Sequence, residues 1–173
     1  MTDREPVDTK NLSQYDDTPL EWSRARDDLL REQGSTRTFF LGTVGSDGRP
    51  HSAGVGAVWE DGDVYVVAGP GTRKARNMEA NPSCTVSVSL TGMDLTLEGT
   101  AERVRDGETL EKLAAIYRTG GWPAEVQGEA FTAPFTAPSG GPPPWNLYRV
   151  TVHTAFAVAS AEPSGATRWR FPV

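Results

Sequence analysis

Residues 39–82 read FFLGTVGSDGRPHSAGVGAVWEDGDVYVVAGPGTRKARNMEANP, and the fold turns on how this run divides. Thr38 to Val44 is β-rich and ends in the turn Gly45-Ser46-Asp47-Gly48. His51 to Trp59 predicts a second strand, dominated by small residues from Ser52 to Ala57. Asp61-Gly62 is a hairpin signal, because both residue types accept the positive φ of a type I′ turn. Val64 to Ala68 is almost wholly apolar, the pattern of a strand covered on both faces. Gly69-Pro70-Gly71 breaks the sheet, and Thr72 to Ala80 predicts a short helix with Thr72 at the N-cap and Asn81-Pro82 as its stop.

Downstream, Cys84 to Leu90 alternates apolar and polar positions with period two, and Asp94 to Val104 continues as a strand after the Thr91-Gly92 turn. Asp106 caps a predicted helix over 107–118, with Leu110, Leu113, Ala114 and Tyr117 as its apolar stripe. Leu147 to Ala159 is the last predicted strand. Upstream, Thr18-Pro19-Leu20-Glu21 has capping-box form and opens a helix running to about Gln33. These six strands, joined by turns and carrying helices only at the margins, predict a mainly β protein: a six-stranded antiparallel β-barrel with peripheral helices. There is no βαβ alternation, which excludes a dinucleotide-binding α/β reading despite the glycines.

Residues 1–17 read as a flexible arm, 18–160 as one domain and 161–173 as a tail. Gly120 to Pro144 stands apart, with two Gly-Gly pairs, six prolines, Trp122, Phe131 and Phe135. A loop of that length is expected to serve as a lid or a partner-contacting arm.

A chain of 173 residues suits one domain. The formal net charge of −6 argues against a nucleic-acid partner. One cysteine, Cys84, excludes an intramolecular disulfide, and with only His51 and His153 beside it no metal centre is expected. No apolar run reaches the ~20 residues a membrane helix needs, and residues 1–17 carry no signal-peptide core, so no membrane partner and a cytoplasmic location are expected.

The chemistry concentrates in Ala68–Pro82. Thr72, Arg73, Lys74, Arg76 and Asn77 crowd the start of a helix, where backbone N–H groups favour an anion. Cations there oppose the helix dipole unless an anion is bound, so the residues read either as a phosphate site or as a solvated basic turn. The small residues from His51 to Ala57 either leave room for a flat ring or pack closely at a barrel bend. No Ser-His-Asp or paired-carboxylate spacing argues for hydrolysis, and no catalytic side chain is assigned.

The order FFLGTVGSDGRPHSAGVGAVW, then DGDVYVVAGPGTRKARNMEANP, a strand pair and WNLYRV resembles the pyridoxamine 5′-phosphate oxidase-like split-barrel family over residues 36–158. The closing Thr167-Arg168-Trp169-Arg170-Phe171 resembles an actinobacterial-type subgroup. The resemblance implies FMN or the deazaflavin coenzyme F-420 as cofactor, held between the subunits of a homodimer. It implies that Thr72, Arg73 and Lys74 hold the cofactor phosphate, and that Lys74, Arg76 and Asn77 match a Lys-x-Arg-Asn pattern of deazaflavin-binding relatives, which leans the choice to F-420. His51, Ser52, Val55, Gly56 and Ala57, with Val67, Ala68 and Gly69, fall where the family lines the ring. Trp145 and Trp169 are candidate lid or partner contacts. The chain lacks the family's Arg-Leu-His-Asp-Arg-like substrate motif and reads Val66-Val67-Ala68 instead of Tyr-Thr-Asn, which argues against vitamin B6 oxidation itself. The expected function is an oxidoreductase moving a hydride between FMN or reduced F-420 and a small organic molecule. The rival is a non-catalytic dimer that binds or carries FMN, F-420, pyridoxal phosphate or haem.

Overall fold

The computed structural model describes residues 4–15, 18–34 and 37–173. In chain order its elements are β1 Asp8–Asn11, α1 Trp22–Glu32, β2 Phe39–Val44, β3 Pro50–Val55, β4 Ala57–Glu60, β5 Asp63–Ala68, α2 Arg73–Ala80, β6 Ser83–Ser89, β7 Met93–Arg103, α3 Gly107–Thr119, β8 Glu125–Gln127, β9 Ala130–Thr132, β10 Asn146–Ala159 and β11 Ala166–Arg170. Among the described residues no helix is long and apolar enough to cross a membrane.

All pairings are antiparallel, and together with the chain link from β3 to β4 they close a ring. β2 lies between β3 and β6, β6 beside β7, β7 beside β10, β10 beside β5, and β5 beside β4. β3 and β4 are one run of chain interrupted at Gly56, so the six expected strands make the barrel. The expected single strand over 51–59 is thus two half-strands. Val55 pairs with Phe39 of β2, whereas Ala57 pairs with Val66 of β5. At Gly56 the chain leaves one neighbour for the other, and the Tyr117 hydroxyl donates to the Gly56 carbonyl at 3.2 Å. A carbonyl released from a ladder needs such a donor.

The alternation of β6 places Cys84, Val86 and Val88 inside the barrel. β5 is covered on both faces, as its composition predicts. Val64, Val66 and Ala68 join the barrel core, while Tyr65 packs with Leu110, Leu113, Ala114 and Tyr117 of α3 in a second core. α2 and α3 begin where expected. The Thr72 hydroxyl accepts from the Ala75 amide, and the Asp106 carboxylate accepts from the Thr109 amide at 2.8 Å.

Three local expectations fail for non-local reasons. The Thr18 capping box does not form: Glu21 is the N-cap of α1, with no side-chain cap bond. The approach to α1 is instead tied by the Leu20 amide donating to the Thr167 hydroxyl at 2.8 Å. The arm is in part a strand, since Asp8–Asn11 pairs with β11; residues 1–3 and 16–17 lie outside the described residues. The tail supplies β11, which adds to the edge of β10 and carries Trp169 into the barrel core.

The segment 120–145 is only partly a loop. It holds the β8–β9 hairpin, and Phe131 is fully buried, exchanging 2.8 Å backbone hydrogen bonds with Trp145. Trp122, Phe131 and Tyr117 meet edge to face at 5.1 to 6.1 Å. This portion is core and not lid. Only the stretch around Ala137–Gly141, closed by a bridge between those two residues, lies over the site described next.

Candidate functional site

α2 sets the site. Successive helix residues turn by about 100°, so Arg73 and Arg76 fall on one side and Lys74 on another. Lys74, Ala75, Asn77 and Met78 are the buried face, and Arg73 and Arg76 are exposed. The basic cluster read from the sequence is therefore parted. Arg73 lies beside the Gly45 turn, where a Cβ on Gly45 would come within 3.6 Å of its guanidinium. Arg76 folds back to donate to the Gly71 carbonyl. Asn77 donates to the Thr43 hydroxyl at 3.0 Å inside the protein, pinning α2 to β2. Thr72 is committed to its cap and to the Gly69 carbonyl, to which its hydroxyl donates at 2.7 Å. Of the expected phosphate group, Lys74 turns into a cleft.

That cleft has a volume of about 170 Å³. Its walls are the Gly54–Gly56 bend, Val67 and Gly69 at the end of β5, Trp145, and the Ala137–Gly140 loop. Lys74 is 6% exposed and has neither a carboxylate nor a hydrogen-bond partner among the described residues. Loss of water lowers its ammonium pKa below the ordinary lysine value. An unpaired buried cation of this kind is costly unless a ligand supplies the counter-charge. Gly69 is required where it stands, because a Cβ there would overlap the Gly140 carbonyl oxygen.

The remaining expected residues divide. Val55, Gly56, Val67, Gly69 and Trp145 gather round the cleft with Lys74. Ala57 lies on a larger groove next door, and Ala68 points into the barrel core. His51 and Ser52 sit farther along β3, opposite Thr43 and Gly42, and do not line the cleft. Trp145 is a fixed wall, its indole N–H donating to the Gly141 carbonyl at 3.2 Å. Trp169 corrects the sequence reading: it is 1% exposed and packs on Trp22 with ring centroids 5.3 Å apart, so it is neither lid nor partner contact. Tyr148 is likewise interior, its hydroxyl donating to Glu79 at 3.2 Å.

Sequence reasoning missed Tyr117 and Trp122 as site residues. Both line the cleft and the groove. Tyr117 was legible only as the last residue of an apolar helical stripe. The Gly120-Gly121 pair that follows, and returns Trp122 toward Tyr117, was the available signal.

A six-stranded barrel, split where β3 becomes β4 and bearing a helix-start lysine in a cleft beside the split, defines the split-barrel class. Residues 26–159 match the family described as pyridoxamine 5′-phosphate oxidase, and the chain belongs to that family. No curated protein matches it. Solved structures of similar fold include General Stress Protein 26 from Bacillus anthracis, at 20% identity and TM-score 0.52, covering 78% of this chain and 93% of that one. A heme binding protein from Mycobacterium smegmatis has 15% identity and TM-score 0.56, with 82% and 57% covered. An F-420 reductase has 19% identity and TM-score 0.50, with 80% and 98% covered. At these identities the likeness is one of fold.

Proposed function

We propose that the chain is a flavin- or deazaflavin-dependent oxidoreductase that passes a hydride between FMN or coenzyme F-420 and a small organic substrate. The observation that carries this reading is Lys74, a buried residue whose ammonium opens into a cleft with glycine-lined walls and meets no partner among the described residues. Its chemistry fits an anionic cofactor, since a charge-assisted contact in a desolvated site is among the stronger polar interactions. Family membership and the F-420 reductase of similar fold support the cofactor class.

Lys74 would hold an anionic group of the cofactor, and Val55, Gly56, Val67 and Gly69 would bound its ring. Bound there, the isoalloxazine or deazaflavin supplies the hydride chemistry. The chain's own part is to bind, orient and exclude water, with Trp145 and the Ala137–Gly140 loop as cover. Binding of haem, as named for the Mycobacterium smegmatis protein, is less well supported, because no histidine, cysteine or methionine is among the described residues lining the cleft, and the Tyr117 hydroxyl there is given to the Gly56 carbonyl. A homodimer completing the site is part of the proposal. The outer face of the β2–β3 pair, with Phe40 half exposed opposite Gly54, supports it as a surface for a second subunit.

Equilibrium binding of FMN and F-420 side by side, with a visible spectrum of each mixture, tests the proposal. Micromolar affinity or better for one of them, weakened in Lys74→Met, is expected. Binding of neither would refute it. Light scattering with and without cofactor tests the dimer, and a monomer that binds cofactor fully would remove the shared site.

A further inference from the structure

Next to the Lys74 cleft lies a groove of about 520 Å³ between the end of α1, the Gly56 bend and α3. The two spaces share Val55, Gly56, Tyr117 and Trp122, so a molecule in the groove meets whatever ring the cleft holds. Leu30, Phe39, Val55, Ile116, Tyr117 and Trp122 supply its apolar surface. That volume suits an organic molecule of moderate size.

Among the described lining residues the charged and hydroxyl groups are already committed, and the Trp122 indole N–H remains as a donor. Arg37 is the one formal charge among the described lining residues, and it is held by Glu32 at 2.9 Å and donates to the Thr91 hydroxyl at 2.7 Å. Glu32 in turn accepts from the Thr91 amide at 3.0 Å. The Thr119 hydroxyl donates to the Ala115 carbonyl, and the Tyr117 hydroxyl to the Gly56 carbonyl. Gln33 spends its Oε1 on the Trp59 amide at 2.6 Å, so what its carboxamide has left to offer is an N–H donor. Among the described lining residues an anionic occupant would find no cation that is not already paired, and it would lose its hydration.

We infer that this groove is the substrate seat, and that its occupant is an uncharged, largely apolar, planar molecule with a carbonyl-type acceptor. The inference rests on the redox reading for the word substrate, but the charge preference stands on the groove alone. Ile116 is the position at which that preference can be inverted, since its side chain lies on the groove wall and is only partly buried, and the bond its carbonyl accepts from the Gly120 amide belongs to the backbone and survives a side-chain change.

The test uses cofactor-loaded protein and, as the cofactor-free arm, Lys74→Met, whose cleft offers the carboxylate no cation, with naphthalene-2-carboxamide and naphthalene-2-carboxylate as probes of one ring and two charges, measured by calorimetry. The carboxamide should bind at least tenfold more tightly than the carboxylate. Ile116→Lys should weaken the carboxamide tenfold or more and bring the carboxylate level or ahead, while Ile116→Leu keeps the wild-type order; melting curves confirm that both variants fold. Equal or stronger binding of the carboxylate in both the cofactor-loaded protein and Lys74→Met, binding of neither probe, or indifference to Ile116→Lys would overturn the inference. FMN and F-420 affinities are measured on the same samples. Carboxamide preference without any cofactor binding upholds the groove and sinks the redox reading; cofactor binding without that preference does the opposite.

Discussion

Lys74→Met should move stability and binding in opposite directions. In the ligand-free protein Lys74 is buried, unpaired and held below its ordinary pKa by desolvation alone. Methionine is similar in length, apolar, and continuous with Met78 one turn away on the same buried face. Because the ammonium faces the open cleft, removing it recovers only part of the about 1–3 kcal/mol cost of a buried unpaired polar group, and each kcal/mol raises the melting temperature of a chain this size by roughly 2–4 °C. A rise of about 2–4 °C is therefore expected from ~1 kcal/mol. The same substitution deletes a charge-assisted contact to an anionic ligand worth about 1.5–3 kcal/mol, a loss of roughly ten- to 150-fold in affinity.

The pH dependence has a definite sign. Between the lowered folded pKa and the ordinary unfolded value, the unfolded chain binds more protons at Lys74 than the folded one. Wild-type stability attributable to this residue therefore rises with pH across that window, and below the folded pKa the penalty is present in full. The rise should vanish in Lys74→Met. Thermal unfolding from neutral to alkaline pH, with calorimetry against FMN and F-420, checks both halves. A variant that melts below the wild type, or binds the anionic cofactor equally well, would refute the argument that Lys74 waits for a counter-ion.

Trp169→Ala should lower stability by about 3–5 kcal/mol as a core truncation, with the cofactor Kd of the folded fraction unchanged within about twofold; loss of affinity at retained stability would return Trp169 to the site. Gly69→Ala should cost about 1–3 kcal/mol through overlap with the Gly140 carbonyl and open the Ala137–Gly141 stretch to limited proteolysis, and an unchanged melting curve and cleavage pattern would count against that contact. Burial pushes the Cys84 thiol up to about 12, so Ellman's reagent should find no reactive thiol in the native protein at pH 8 and one after unfolding in urea; rapid native labelling would contradict its place inside the barrel.

What could be read locally was read correctly where the deciding interaction is local. The period-two pattern of Cys84–Leu90, the Thr72 and Asp106 caps and the doubly covered strand Val64–Ala68 each depend on neighbours a few positions away, and the ring of six strands follows from their turns. Thr18 shows the limit of that logic. Its capping motif is locally sound, yet Thr167 of β11 ties the Leu20 amide and the helix starts later. β1 was invisible for the same reason. Asp8–Asn11 is polar throughout, and its strand state comes from pairing with β11, where Arg168 donates to Asp8 across 160 positions of sequence.

The site divides along the same line. By itself the sequence determined that cations sit at a helix start beside a glycine turn, and that small residues precede them on a strand. Only the tertiary structure decided that Lys74 alone faces a cleft, that Asn77 is a strut to Thr43, and that the small-residue strand breaks at Gly56. It also brought Tyr117 and Trp122, from beyond the barrel's fifth strand, to the wall shared by cleft and groove. The reason is physical. A helix start advertises its charges through adjacent residues, but which charge loses its water depends on which face the rest of the chain covers, and that choice is made by contacts distant in sequence.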